Sequence, residues 1–271
     1  MVDEFILFGR RNESALLDSP INGNTILNMF SAWLFPAAAM FKSGYEAGRA
    51  QAITCLCKIF SQPQRIAPFH RQYLDKFYQI ISNGLGGDFL SLCAVIRNSE
   101  QLFSAGLEGI RLLTPFYIKG LSKILPNVQI GSHDLANSHK MDLDELRKDG
   151  YRILAATACS INPLSNIPIE MPICDIVINR YVEPQVQAWI DSMYPVQEIT
   201  TFSSLKPLIT SLFVNSLVAE SNPSNYTYLL QIISSYITQE YKVTHLIFNV
   251  FIKVIQELVR FKYLNLFQNR F

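Results

Sequence analysis

Apolar positions in this chain recur mainly at intervals of three and four, and strand alternation is nearly absent, so the pattern predicts a helical protein. A helix from about Thr25 runs to Pro36, where the ring must kink or restart it. In the next helix Ala47, Ala50, Ile53, Leu56 with Cys57, and Phe60 form a stripe. Ser43, followed three residues later by Glu46, fits a capping box at its start. Gly48 costs that helix roughly 1 kcal/mol against Ala, a cost that close packing of another helix across it would offset. Pro68 suits the first helical position of Phe69–Ser82, whose Phe69, Tyr73, Phe77 and Ile80 share a face. Asn83–Gly87 then predicts a stop in left-handed-tolerant residues, and Asp88 an N-cap for Phe89–Arg97.

Further on, Leu107, Ile110, Leu113, Tyr117, Leu121 and Ile124 predict one helix over Ser104–Leu125, kinked at Pro115. A polar linker, Asn127–Lys140, leads to a helix over Asp142–Ser160, with Asp142, Asp144 and Glu145 placed against the positive end of its dipole. Residues 161–195 are punctuated by prolines and carry only a short helix around Gln185–Met193. Phe202–Glu220, Asn225–Gln239 and Lys242 to about Asn265 close the chain. In the last, Val243, Ile247, Val250, Val254, Leu258 and Phe261 hold a helical spacing. Paired helices at a loose spacing of about 40 residues predict an all-α fold. The expected architecture is an irregular α-solenoid of HEAT/armadillo-like repeats forming a single helical-repeat domain over residues 1–271.

Composition adds one constraint. Hydrophobic residues make up 49% and charged residues 17% of the 271, against about 25% charged in an ordinary soluble domain. Part of the apolar area is therefore expected to meet another chain or a continuation of this one. The net charge of +1 and the lack of a basic stripe argue against a nucleic-acid partner. The cysteines, Cys55, Cys57, Cys93, Cys159 and Cys174, are odd in number and lack framework spacing, which predicts reduced, buried thiols in a cytoplasmic protein. No basic segment precedes an apolar run at the N-terminus, so no signal peptide is expected. Ser19–Phe41 carries no charge, but Asn22, Gly23, Asn24, Asn28 and Pro36 interrupt it, and it reads as a buried helix rather than a membrane span.

Candidate chemistry is sparse. Cys55 and Cys57 lie roughly 200° apart on a helix and cannot both face one ion. His133, His139 and Asp134 read as solvated linker residues, and His70 and His245 as isolated histidines. There is no Gly-x-Ser-x-Gly elbow and no Walker-type phosphate loop. No catalytic, cofactor or metal residue is expected. Arg49 is either solvated or ion-paired at i−3 with Glu46, or it bridges consecutive helical repeats or a partner chain. Trp33, Phe35 and Tyr45 read as core.

The stretch from Gly44 to Phe60 (Gly-Tyr-Glu-Ala-Gly-Arg-Ala and onward), preceded by Trp33–Pro36, resembles a segment of the large non-catalytic region of the Ral GTPase-activating protein subunits, relatives of tuberin. Tyr73–Ile80 with Gly84 and Leu85, Val95–Phe103, Leu107–Ile110, Pro115–Ile118 and Leu121–Pro126 follow in the same order, with a weaker match at Leu146, Arg147, Ile153 and Leu154. The resemblance covers roughly residues 30–165, within a signature-bearing part of about 25–165. It implies a non-enzymatic scaffold that joins a partner subunit in a GTPase-activating heterodimer and acts indirectly on a Ral-like small GTPase. Such proteins accelerate GTP hydrolysis through a separate domain that offers an asparagine, and nothing here resembles that domain; Asn98 belongs to the helical match. The rival readings are a generic solenoid adaptor and a membrane-surface helical protein, the latter resting on Lys253, Arg260, Lys262 and Arg270.

Overall fold

Asn22 sets the start of the first helix: its side-chain oxygen accepts the amide of Thr25 at 2.9 Å, satisfying one of the donors that a helix start leaves open. The computed structural model describes residues 22–62, 64, 67–128, 141–169, 181 and 201–241, with Asp3, Glu4, Ile6, Pro184 and Ala188. Residues 5 and 7–21, most of the Asn127–Lys140 linker, most of the short helix near Gln185 and the final helix from Lys242 lie outside the described residues.

Eight α-helices follow in order among the described residues: α1 (Gly23–Ala38), α2 (Glu46–Phe60), α3 (Arg71–Gly86), α4 (Phe89–Asn98), α5 (Thr114–Leu121), α6 (Leu143–Ile161), α7 (Lys206–Ala219) and α8 (Pro223–Tyr241). Among those residues there is no strand, only an isolated bridge between Pro168 and Thr201. The chain divides into two compact units, residues 1–120 and 121–271.

In the first unit α2 packs against α1 and α4, with α3 closing the group. The buried face of α2 is Arg49, Ala52, Ile53, Leu56, Cys57, Ile59 and Phe60. The expected stripe is therefore displaced at its start, because Ala47 is exposed and the position of Arg49 is buried instead. Ser43 does not cap this helix. Its N-cap is Tyr45, without a side-chain hydrogen bond, and Glu46 Oε1 accepts the amide of Gly44 at 3.1 Å. Phe60 stacks on Phe77 at 4.0 Å between centroids and tilts against Phe69 at 4.6 Å, joining the ends of α2 and α3. Burial of each such ring contributes roughly 1.5–3 kcal/mol.

Asparagines that interrupt the apolar first helix have structural partners. Asn24, buried, donates to the Pro68 carbonyl at 2.9 Å and accepts the His70 amide at 3.1 Å. Asn28 accepts the Tyr73 hydroxyl at 2.8 Å. These bonds hold α1 to the entry of α3. Pro36 lies in the last turn of α1 and the helix continues to Ala38. Pro68 precedes α3, which starts at Arg71 and runs through the glycines to Gly86. Gly84 is thus no terminator. A Cβ there would meet Val95 Cγ2 at 2.9 Å, so the missing side chain lets α3 and α4 approach closely.

The expected Ser104–Leu125 helix is broken. Two 3-10 turns, Glu100–Phe103 and Ile110–Leu113, precede α5, and Gly106 and Gly109 between them have φ of +72° and +79°, which stops a continuous right-handed helix. Its apolar stripe is nonetheless buried: Leu107, Ile110, Leu113, Tyr117, Leu121 and Ile124 all lie inside. Pro115 falls in the first turn of α5, where a missing N–H is tolerated, rather than in the interior of a longer helix.

In the second unit α7 is central to what is described. Residues 209–217 are buried in unbroken succession, so the helix is enclosed on all sides, with α6 and α8 packed against it. Phe202–Ala219 is long and apolar enough to cross a membrane by length and composition, but 61% of it is buried within the fold, as a core helix requires. Asp142 Oδ1 accepts the amides of Asp144 and Glu145 at 2.9 and 3.2 Å, starting α6 where the acidic residues predicted.

Gly48 and Gly84 are predicted to respond oppositely to Ala. Gly48 is exposed with nothing within 4 Å of an added Cβ, so no helix packs across it, and Gly48→Ala should stabilise by about 0.5–1 kcal/mol. Gly84→Ala should destabilise, because Val95 must yield. Urea unfolding midpoints of the two variants test both signs.

Candidate functional site

The polar chemistry of the described residues concentrates around two buried arginines. Arg49, on the first turn of α2, is 3% exposed. Its Nε donates to Ser91 Oγ at 2.9 Å and its Nη2 to Asp88 Oδ2 at 2.5 Å, while Nη1 donates to the Met40 carbonyl. The guanidinium also lies 5.0 Å from the Phe41 ring centroid, in cation–π geometry. One side chain thus ties α2 to the α1–α2 connection and to the start of α4. The solvated reading is corrected: Glu46 faces the Gly44 amide, and Arg49 points inward.

Asp88 serves two purposes. Its Oδ1 accepts the Ser91 amide at 3.1 Å as the N-cap of α4, and its Oδ2 accepts the Ser91 hydroxyl at 2.7 Å beside Arg49. Burial alone would raise its carboxyl, but the bonds from Ser91 and Arg49 outweigh that and hold it below the usual range.

The second arginine, Arg147 on α6, forks onto Glu220 through Nε and Nη2, both at 3.1 Å, and reaches Asp144 at 2.5 Å. Glu220, the C-cap of α7, also accepts the Tyr151 hydroxyl at 2.7 Å and the Asn222 amide at 2.9 Å. Burial again pushes its carboxyl up, and Arg147, the Asn222 amide and Tyr151 together hold it low. Asn222 donates to Asp144 Oδ2 at 2.8 Å, the leading reason that Asp144 is also held low, and its Oδ1 accepts the Ser224 and Asn225 amides at the start of α8. Sequence reasoning gave Asp144 only its dipole role and did not find Glu220, whose partner lies 73 positions away.

The remaining expected residues separate. Phe35 is core and stacks on Tyr73 at 6.0 Å, but Trp33 is 69% and Tyr45 55% exposed, which corrects their assignment to the core. The buried helix expected within Ser19–Phe41 is, over α1, buried on one side only, and residues 19–21 lie outside the described residues. Of the thiols, Cys57 and Cys93 are buried, Cys55 is partly covered and Cys159 is exposed, so the expectation of buried thiols fails at Cys159. Burial pushes the Cys93 thiol up to about 12 and that of Cys57 further. Cys174 and the histidines of the linker lie outside the described residues. Among the described residues no group of His, Cys, Asp and Glu is arranged to hold a metal.

Among the described residues are a polar and an apolar hollow. A polar cleft of about 400 Å³ includes Asp3, Lys58, Arg97, Asn98 and Gln101, with Lys58 paired to Asp3 at 2.8 Å. An apolar groove of about 230 Å³ in the second unit is walled by Ala158, Phe213, Ile232 and Tyr236. Neither brings together a nucleophile, a base and an oxyanion donor.

Comparison with known proteins gives relatives for most of the chain. It is 31% identical over 228 residues to a Rap-GAP domain-containing protein of Dictyostelium discoideum, covering 82% of this chain and 13% of that protein. It is 29% identical over 197 residues to the Ral GTPase-activating protein subunit beta of Homo sapiens, covering 71% of this chain and 12% of the other. The corresponding subunit of Mus musculus is 26% identical over 193 residues. The resemblance read from the sequence is borne out, and the matched subunits are beta subunits; the chain spans only about an eighth of their length. No family model and no solved structure matches it.

Removing one partner of a buried pair leaves the other charge stranded. Arg49→Ala is expected to cost about 2–4 kcal/mol, somewhat below a fully enclosed pair because Asp88 is 27% exposed, and Arg49→Lys less, since an ammonium keeps the positive charge opposite Asp88 although it lacks the planar fork that reaches all three acceptors. Calorimetric melting tests this, and unchanged melting of Arg49→Ala would remove the clamp.

Asp88, Asp144 and Glu220 all have lowered carboxyls in the folded state. Their contribution is complete above the unfolded values near 4 and is lost as pH falls through the folded ones. Urea midpoints should therefore drop on acidification below about pH 4. Glu220→Gln should be less stable at neutral pH and show a flatter acid limb.

Proposed function

We propose that this chain, a relative of the Ral GTPase-activating protein beta subunits, is a non-catalytic scaffold of a Ral-type GTPase-activating complex. In this reading it works in the cytoplasm, as an irregular α-solenoid of HEAT/armadillo-like repeats, and contributes to small-GTPase regulation through heteromeric assembly with a partner subunit. The observation that carries the proposal is the kinship with beta subunits over 71% of the chain.

The internal chemistry is consistent with support rather than turnover. Arg49 and Arg147 are committed to carboxylates of their own fold. The Asn98 amide donates to the Ala94 carbonyl of its own helix at 2.8 Å and to Thr54 Oγ1 at 3.3 Å, the second bond linking α4 to α2. A side chain held in this way is a poor candidate for insertion beside a nucleotide.

Native purification of the tagged chain is expected to recover a larger polypeptide bearing a GTPase-activating domain. That assembly, and not the isolated chain, should accelerate GTP hydrolysis by a Ral-type GTPase. Acceleration by the isolated chain, or recovery without any such polypeptide, would overturn the proposal.

A further inference from the structure

Asparagine followed by glycine occurs twice in the chain, at Asn22–Gly23 and at Asn83–Gly84. The pair is chemically labile. The glycine backbone nitrogen, with no Cβ beside it to obstruct approach, attacks the side-chain carbonyl carbon of the asparagine. A cyclic imide forms, and the side-chain nitrogen leaves as ammonia with the backbone proton. Water then opens the ring at either carbonyl, giving aspartate or isoaspartate. The second pair lies within α3, where the helix fixes the peptide plane. The first lies at the entry to α1, where Asn22 has an extended backbone with φ of −105° and ψ of 173°.

Two sets of bonds bear on that first pair. Thr25 donates to Asn22 Oδ1 through its amide at 2.9 Å and through its hydroxyl at 3.2 Å, which turns the carboxamide toward the helix start. The Gly23 N–H donates to Gln64 Oε1 at 3.2 Å, across 41 positions of chain. Gln64 is itself oriented, because its Nε2 donates to the Gln62 carbonyl at 3.0 Å. The electrophile and the nucleophile of the reaction are therefore held by different partners. Gly23 is also required by packing, since a Cβ there would run into the Phe69 ring.

We infer that Asn22 is a conditional modification site, whose deamidation is suppressed while Gln64 pins the Gly23 peptide and proceeds when the entry of α1 opens. Ring closure needs the Gly23 nitrogen to give up its proton and its peptide plane to rotate, and both require the Gln64 bond to break first. Helix ends open locally without global unfolding, so the reaction has a route in the folded chain. Isoaspartate runs the backbone through the former side chain and adds one carbon between residues 22 and 23. Gly23 abuts Phe69, and Asn24 holds the Pro68 carbonyl and the His70 amide, so a backbone lengthened at this point releases α1 from the entry of α3. A transient opening is thereby made permanent. The inference stands apart from the proposed role in GTPase regulation, because it concerns the chain by itself.

Incubation of the full chain at mildly alkaline pH, with peptide mass spectrometry following acid-for-amide conversion at both asparagines, tests it. In urea Asn22 and Asn83 should convert at similar rates, since their dipeptides are the same. In the native chain Asn22 should convert more slowly than in urea. Gln64→Ala should raise the native rate at Asn22 about fivefold, the rise in open fraction that loss of one hydrogen bond of ordinary strength produces, with Asn83 unchanged as the internal reference. Thr25→Val, which keeps the side-chain shape and removes the hydroxyl bond to Asn22, should raise it less. Conversion of native Asn22 as fast as in urea would overturn the inference, as would an unchanged Asn22 rate in both variants. Equal acceleration at Asn83 in Gln64→Ala would also overturn it, by making Gln64 a general support of the unit and not the guard of this pair.

Discussion

A guanidinium removed from water must find a counter-charge and acceptors for its N–H groups, and the burial of Arg49 imposes that requirement on the whole first unit. Its partners come from the α1–α2 connection, from the N-cap of α4 and from Ser91 one turn inside that helix. Apolar contacts between α2 and α4 would tolerate small sliding motions. A fork of directed bonds does not. Asp88 is fixed by the same constraint, because it must cap α4 and neutralise Arg49 from a single position. The second unit solves the problem with reversed polarity: there a buried carboxylate, Glu220, is the hub, and donors from α6 and from the α7–α8 connection converge on it.

Several local signals survived translation from sequence to structure, although the Ser43 cap and the Asn83–Gly87 stop did not, and the long-range ones were lost. Asp88 as a cap, the acidic start of α6 and the burial of Leu107 through Ile124 were all legible, since each rests on spacing within a turn or two. The break before α5 was missed because the apolar stripe continues through it. The signal lay in Gly106 and Gly109, whose left-handed conformations interrupt the backbone while the side chains keep their burial. Arg49 was ambiguous for a different reason. A lone arginine in an apolar helix has no visible partner until the chain places Asp88 beside it, 39 positions away. The asparagines of α1 were read as flaws in an apolar run, whereas Asn24 and Asn28 bond to the segment that enters α3.

The low charge content acquires an address in the structure. The second unit absorbs much of its apolar excess in α7, enclosed on every side, while the first leaves an uncharged face of α1 open. The directed bonds fix the shape of the first unit, and the open face offers surface.

The unbroken burial of residues 209–217 also bears on how such a chain can drift in length over evolutionary time. Inserting one residue into α7 would rotate every following side chain by about 100° about the helix axis. Enclosure on all sides means that the rotation presents Asn215 and Ser216 to different neighbours without ever bringing them to water. Gains and losses of residues are therefore accommodated most easily in connections such as the glycine-bearing stretch between α4 and α5, where the backbone already departs from helix. Homologous chains should differ in length there while keeping the spacing within α7 constant.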